Sequence, residues 1–127
     1  MTERGRVLLI EDDKFLRRAC EASLRQRGFE VTSAVDGEEG LRLALMPPAA
    51  HVVLLDLLMP KVTGIEVLRA LKSDAATATI PVLILSNSSR EEDKRLAVEL
   101  GAEGYYVKSN LSLKELAAHV ARLVPHA

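Results

Sequence analysis

Cysteine is almost missing from these 127 residues. The single one, Cys20, excludes an internal disulfide framework and every metal site built from several thiolates. Its apolar neighbours make it a small buried side chain rather than a reactive thiol. Tryptophan is absent and only two tyrosines and two phenylalanines occur, yet 48% of the residues are apolar. The core must therefore be aliphatic. A strong charge of one sign is lacking too: seventeen basic against eighteen acidic residues leave a net charge of −1. No basic stripe of the kind that tracks a phosphate backbone is visible, so nucleic acid is not expected as a partner. No apolar run approaches the roughly 18 residues that span a bilayer, and Met1-Thr2-Glu3-Arg4-Gly5 has no signal-peptide core. A cytoplasmic protein without membrane contact is expected. Repeats, low-complexity tracts and linkers are also absent, which fits one domain over 1–127 with a core from 6 to about 124 and no output domain.

What is present is alternation. Five short apolar runs, Val7-Leu8-Leu9-Ile10, Val31-Thr32-Ser33-Ala34, Val52-Val53-Leu54-Leu55, Val82-Leu83-Ile84-Leu85 and Tyr105-Tyr106-Val107, are separated by helical periodicity. The first, third and fourth are apolar without a break, as strands covered on both faces require. Leu16, Ala19, Cys20 and Leu24 form one helical stripe, and Leu113, Leu116, Ala117, Val120 and Leu123 form the clearest. Helix starts are expected where a capping residue precedes a glutamate by three: Asp36…Glu39, Thr63…Glu66, Ser89…Glu92 and Ser112…Glu115. Gly28 and Gly101 stand where left-handed C-caps are wanted, and Pro47-Pro48 and Pro125 stop the second and fifth helices. Strict βα alternation implies right-handed crossovers and an open parallel sheet wound on both faces, a (βα)5 α/β fold. Periodicity alone does not order the strands.

Ligands of such sheets bind beyond the carboxyl ends of the strands. Those ends carry Glu11-Asp12-Asp13, Asp56, Ser86-Asn87 and Lys108-Ser109. Two carboxylates about 4 Å apart repel by roughly 4 kcal/mol at an effective dielectric near 20, so a cluster needs a shifted pKa or a cation. Oxygen ligands without histidine or thiolate favour Mg²⁺ or Mn²⁺, an ion that keeps open positions for phosphate oxygens. Lys108 would add positive charge and Ser86 a hydrogen bond for a phosphoryl group, while a carboxylate can be the nucleophile. Taken singly, each group has a bland role. Asp13 is expected to cap the first helix, Ser88 and Ser89 to begin a turn, and a lone lysine to be solvated. His51, His119 and His126 are scattered and suggest no triad or metal site.

The chain resembles the receiver (response-regulator) family from residue 6 to about 124. Val7-Leu8-Leu9-Ile10-Glu11-Asp12-Asp13 is similar to the family's first strand and acidic pair. Asp56-Leu57-Leu58-Met59-Pro60, followed by Gly64, is similar to its acceptor loop. The resemblance implies strand order 2-1-3-4-5, a flavodoxin-like topology, and Asp56 as the phosphorylated residue. It implies a metal held by Asp12, Asp56, Glu11 and the backbone carbonyl of Leu58. Ser86 then takes the place of the conserved hydroxyl residue, Lys108 that of the conserved lysine, and Tyr105 that of the switch aromatic. A histidine kinase or histidine phosphotransfer protein would donate to Asp56. Ser86 would then move toward the phosphoryl group, Tyr105 turn inward, and the surface of helix four, strand five and helix five change. The charged segment Arg90–Arg95 on helix four makes a phosphorylation-linked homodimer an expectation as well.

Two positions depart from the family. Ser109 replaces the usual proline after the lysine; a cis non-proline bond costs about 2.5–4 kcal/mol, so a trans Lys108–Ser109 bond and a shifted loop are expected. Asn87 stands where a very small residue is usual. Leu57 and Leu58 are expected to form an apolar rim beside Asp56 that limits water attack. Three rivals compete. A pseudo-receiver would keep the fold and act by protein contact alone. A phosphohydrolase would need an acid two residues after the nucleophile, where Leu58 stands. A flavin or nucleotide binder would need a glycine- or hydroxyl-rich loop after strand one, where the acids would repel phosphate.

Overall fold

The computed structural model describes residues 5–59 and 62–125; Pro60 of the acceptor motif and His126 lie outside them. The order is β1 (Gly5–Ile10), α1 (Lys14–Gln26), β2 (Phe29–Ala34), α2 (Gly37–Ala44), β3 (Val52–Asp56), α3 (Gly64–Ser73), β4 (Val82–Ser86), α4 (Glu91–Glu99), β5 (Gly104–Val107) and α5 (Leu113–Leu123). All strand pairs are parallel, in the order β2-β1-β3-β4-β5. The expected (βα)5 sheet and its strand order are therefore observed.

The unbroken apolar runs make sense once the two-residue period of a strand is applied. Val7, Leu9, Val52, Leu54, Leu83 and Leu85 face one layer, with Cys20 and Leu24 of α1 and Leu116, Ala117 and Val120 of α5. Leu8, Ile10, Val53, Leu55, Val82 and Ile84 face the other, with Val67, Leu68 and Leu71 of α3 and Ala97 of α4. Cys20 is fully buried, and burial pushes its thiol up to about 12, which makes it inert.

Helix termini follow the capping pattern with one exception. Asp13 accepts hydrogen bonds from the backbone of Phe15 and Leu16, Asp36 from Glu39, Thr63 from Glu66 and Ser112 from Glu115. Gly28 and Gly101 adopt φ of 93° and 101° just past α1 and α4, a conformation that L side chains resist. Gly28 turns the chain so abruptly that β2 begins at Phe29, two residues before its expected start, and Gly5 pairs in register with it. The exception is α4. Its N-cap is Arg90, with no side-chain cap, and the expected Ser89…Glu92 pair does not form. Glu92 instead pairs with the Arg90 guanidinium. Ser88 takes over, accepting from the Arg90 backbone N–H at 3.2 Å. Of the nine residues of α4 only Ala97 is buried, so this helix is held more by its ends than by its face. The Lys108–Ser109 bond is trans, as expected, and a 3₁₀ turn, Lys108–Asn110, leads into α5.

Losing a hydroxyl N-cap costs about 1 kcal/mol. Ser112→Ala should lower stability by about that amount in urea denaturation, whereas Ser89→Ala should change it by less than about 0.5 kcal/mol, as an uninvolved surface substitution does.

Candidate functional site

Strand register brings the polar ends together. Ile10 lies level with Leu55, Asp56 with Leu85, and Ser86 with Val107. One step beyond β1, Glu11 therefore stands beside Asp56, while Lys108 leaves β5 at the same edge. Glu11 and Asp56 are 0% and 2% exposed, Ser86 is buried, and Asp12 is exposed. One carboxylate oxygen from each of Glu11, Asp12 and Asp56 lies within 4.8 Å of the others.

Three acids and one base meet here, leaving two negative charges if all are ionised. Lys108 Nζ sits 2.9 Å from Glu11 Oε1 and 3.1 Å from Asp56 Oδ2, and donates to Glu11 Oε2 at 3.1 Å. Burial disfavours the charged amine, but the bond to Glu11 and the charge of Asp56 outweigh it and raise its pKa. For Asp56 the balance goes the other way. Burial first, then the charge of Glu11 and its shared hydrogen bonds with Asp12 and Glu11, push Asp56 up to about 7 against the pull of Lys108. Glu11 Oε1 and Asp56 Oδ2 make no well-directed hydrogen bond and rely on the Lys108 ion pair. Under-satisfied buried carboxylate oxygens beside an exposed third acid fit a hard divalent cation, which binds oxygen and leaves phosphate positions free. The donor set supports Mg²⁺ or Mn²⁺ and offers nothing to a soft metal.

Neighbouring backbone holds the acids in place. Glu11 Oε2 accepts from the Asp13 N–H at 3.0 Å, and Asp56 Oδ1 from the Leu58 N–H at 3.1 Å. Arg17 donates to the Glu11 and Asp12 carbonyls at 3.1 and 3.4 Å. The sequence signal for this contact is a cation one helical turn past the Asp13 cap. Gly64 is needed for closeness rather than for φ. A Cβ there would lie 2.3 Å from the Asp56 carbonyl oxygen and 2.4 Å from Leu57 Cα, and its N–H donates to Leu57 O at 3.0 Å.

The remaining candidates divide. The Ser86 hydroxyl accepts from the Ser88 N–H at 3.0 Å, and the Tyr105 hydroxyl donates to the Ser88 carbonyl at 2.9 Å. Both site candidates are thus tied to the β4–α4 loop. Asn87 is exposed. The expected two-leucine rim is half right: Leu58 is 67% exposed beside Asp56, but Leu57 is buried in the core with Leu55. The two-residue strand period, continued past Leu55, explains the correction. His51 accepts the Arg6 N–H at Nδ1, and His119 Nδ1 faces the Tyr106 hydroxyl at 2.6 Å, so neither belongs to the site.

Residues 7–121 match the sequence profile of the response regulator receiver domain. Among curated relatives, the chain is similar to the transcriptional regulatory protein PrrA of Mycobacterium tuberculosis, with 40% identity over 94% of this chain and 49% of the relative. The curated relatives it matches are longer; the chain spans about half of most and 15% of one. Among solved structures, a chemotaxis response regulator of Vibrio cholerae, CheY4, superposes with a TM-score of 0.86 and 28% identity, over 97% of this chain and all of that one. The phosphorylated cyanobacterial phytochrome response regulator RcpA superposes with a TM-score of 0.78 and 31% identity, over 93% and 89% of the two chains.

Because the folded pKa of Asp56 lies above its ordinary 3.8, the unfolded chain releases this proton first as pH rises. The Asp56 contribution to stability is complete below pH 4 and is lost as pH climbs to about 7. In EDTA, Asp56→Asn should therefore match wild type near pH 4 and exceed it by a few kcal/mol at pH 8. Urea midpoints across that range check it; a gap that does not vary with pH would contradict it.

Proposed function

The chain belongs to the response regulator receiver family of two-component systems, and from that premise we propose that Asp56 accepts a phosphoryl group from a phosphohistidine donor. The donor class is a histidine kinase or a histidine phosphotransfer protein. An Asp56 carboxylate oxygen attacks phosphorus, the P–N bond to the donor imidazole breaks, and an acyl phosphate forms as the imidazole leaves with the bonding electrons. The observation that carries this reading is the clustering of Glu11, Asp12 and Asp56 with Lys108 bridging two of them.

The roles follow from chemistry. Asp12, Asp56 and Glu11, with the Leu58 carbonyl, would hold Mg²⁺ or Mn²⁺, which when bound neutralises phosphoryl charge. Lys108 is already stationed at the Asp56 carboxylate, so it can follow charge onto the phosphoryl oxygens without reorganisation. Ser86, buried at the next strand end, supplies a hydroxyl. Tyr105 reports on the β4–α4 loop through Ser88, which would connect phosphorylation to the face made by α4, β5 and α5 by population shift. A phosphorylation-linked homodimer through that face remains part of the reading. The phosphorylated state of the RcpA neighbour supports the chemistry. The transcriptional role in the name of the mycobacterial relative is not extended to this segment, whose charge balance offers nucleic acid no basic stripe. No helix among the described residues is long and apolar enough to cross a membrane, and we place the relay in the cytoplasm.

Incubation with acetyl phosphate and Mg²⁺ should add one phosphate per chain by intact mass. The adduct should vanish in Asp56→Asn and in EDTA, and form at least tenfold more slowly in Lys108→Ala, the effect of losing a charge-assisted contact of about 1.4 kcal/mol or more. No adduct on wild type, or one that survives Asp56→Asn, would refute the reading and favour a receiver that works by contact alone. Leu58 shields one side of Asp56 from water, so Leu58→Asn should shorten the half-life of the adduct; an unchanged or longer half-life would remove that role from Leu58.

A further inference from the structure

Ser88 spends all of its polar atoms on three different parts of the molecule. Its N–H donates to the Ser86 hydroxyl at 3.0 Å, and its carbonyl accepts from the Tyr105 hydroxyl at 2.9 Å. Its own hydroxyl accepts the N–H of Arg90, the N-cap of α4, and donates to the Asp93 carboxylate. Asp93 is partly buried and lies in the first turn of α4, where a carboxylate also meets the positive end of the helix. Ion pairs hold the flanking carboxylates Glu91 and Glu92 to Lys94 and Arg90. Beside this corner is a cavity of about 280 Å³ whose lining includes Leu57, Leu58, Ser86, Ser88, Asp93 and Leu96. Packing at this corner of α4 is therefore incomplete, and the Ser88–Asp93 bond ties the first turn of the helix to the loop.

We propose that Asp93 and Ser88 are positioning residues for phosphoryl transfer: the α4 carboxylate fixes the Ser88 side chain, and through the Ser88 N–H it fixes the Ser86 hydroxyl that meets the phosphoryl group. This rests on the acceptor reading of Asp56 and adds a residue on α4 to the machinery. Neither residue touches the reacting atoms. Asp93 acts through two hydrogen bonds in series, and with it an element of the protein surface gains an indirect hold on the chemistry. The coupling is reciprocal by linkage. A partner that draws Asp93 away from Ser88 slackens Ser86, and engagement of Ser86 by a phosphoryl group strains or releases Asp93.

Amide hydrogen exchange followed by NMR tests this on the intact chain without phosphorylation. The Ser88 N–H bonds Ser86, not Asp93, so its protection reads the transmitted effect and not the local cap. Asp93→Ala and Ser88→Ala should each speed exchange at residue 88 about fivefold, the consequence of one lost hydrogen bond. Asp93→Asn keeps an acceptor oxygen and should preserve protection, as should Glu92→Ala. In the acetyl phosphate assay, Asp93→Ala should slow phosphorylation about fivefold while Asp93→Asn stays near wild type. Unchanged exchange at residue 88 in Asp93→Ala, or equal acceleration by Glu92→Ala, would overturn the proposal. Failure of wild type to take phosphate would sink the acceptor reading instead, leaving the exchange result to decide whether Asp93 controls Ser86.

Discussion

One ammonium group answers for more negative charge than it can neutralise. Lys108 lies within ion-pair distance of both Glu11 and Asp56, two carboxylates buried at the sheet edge with a third, Asp12, beside them. Removing one partner from a buried ion pair leaves an uncompensated charge that is strongly destabilising. The site begins in that state by design of its composition: three acids, one base. Burial first, and then the uncompensated charge of Glu11, raise Asp56 to about 7, and two carboxylate oxygens are left without well-directed donors. Both facts describe a surface under-satisfied in positive charge, which a divalent cation and the charge rearrangement of phosphoryl transfer are suited to relieve.

The fold makes this imbalance tolerable. Parallel register brings Glu11 and Asp56 side by side at one edge of the sheet, where both are buried and only Asp12 of the three acids is exposed. Backbone donors from Asp13 and Leu58 each hold one oxygen of a carboxylate, so the acids are aimed even while underpaid in charge. Arg17 fixes the carbonyls of Glu11 and Asp12 from outside the cluster, adding order without neutralising the carboxylates themselves. Gly64 lets α3 begin against the Asp56 backbone where any side chain would collide. Rigid surroundings and an unbalanced centre are what distinguish a prepared site from an incidental group of surface acids.

Much of this was legible in the residues. Unbroken aliphatic runs alternating with capped helical stripes specify a sheet covered on both sides. Once the sheet is parallel, chemistry-bearing residues just past each run must share an edge. Capping pairs spaced by three located the starts of α2, α3 and α5. The spacing failed at α4, because Ser88 and Asp93 are five apart and bond across the loop in a way no local pattern encodes. Burial was the other blind spot. Asp13 is a cap as its place before the first helical stripe implies, but nothing in Glu11-Asp12 says that the first is enclosed and the second exposed; strand register decides it. Leu57 shows the reverse: alternation from Leu55 already pointed it into the core, and proximity to Asp56 in sequence obscured that.

Calorimetric titration with Mn²⁺ in buffers of different ionisation heat, at pH 7, measures directly whether the charge shortfall is what the site is built on. One ion per chain should bind with release of protons, because Asp56 is partly protonated at that pH and must ionise to coordinate. Asp12→Ala should weaken the binding, and Asp56→Asn should abolish the proton release. Binding that displaces no protons, or that is indifferent to both substitutions, would show that the unbalanced carboxylates are not what holds the ion.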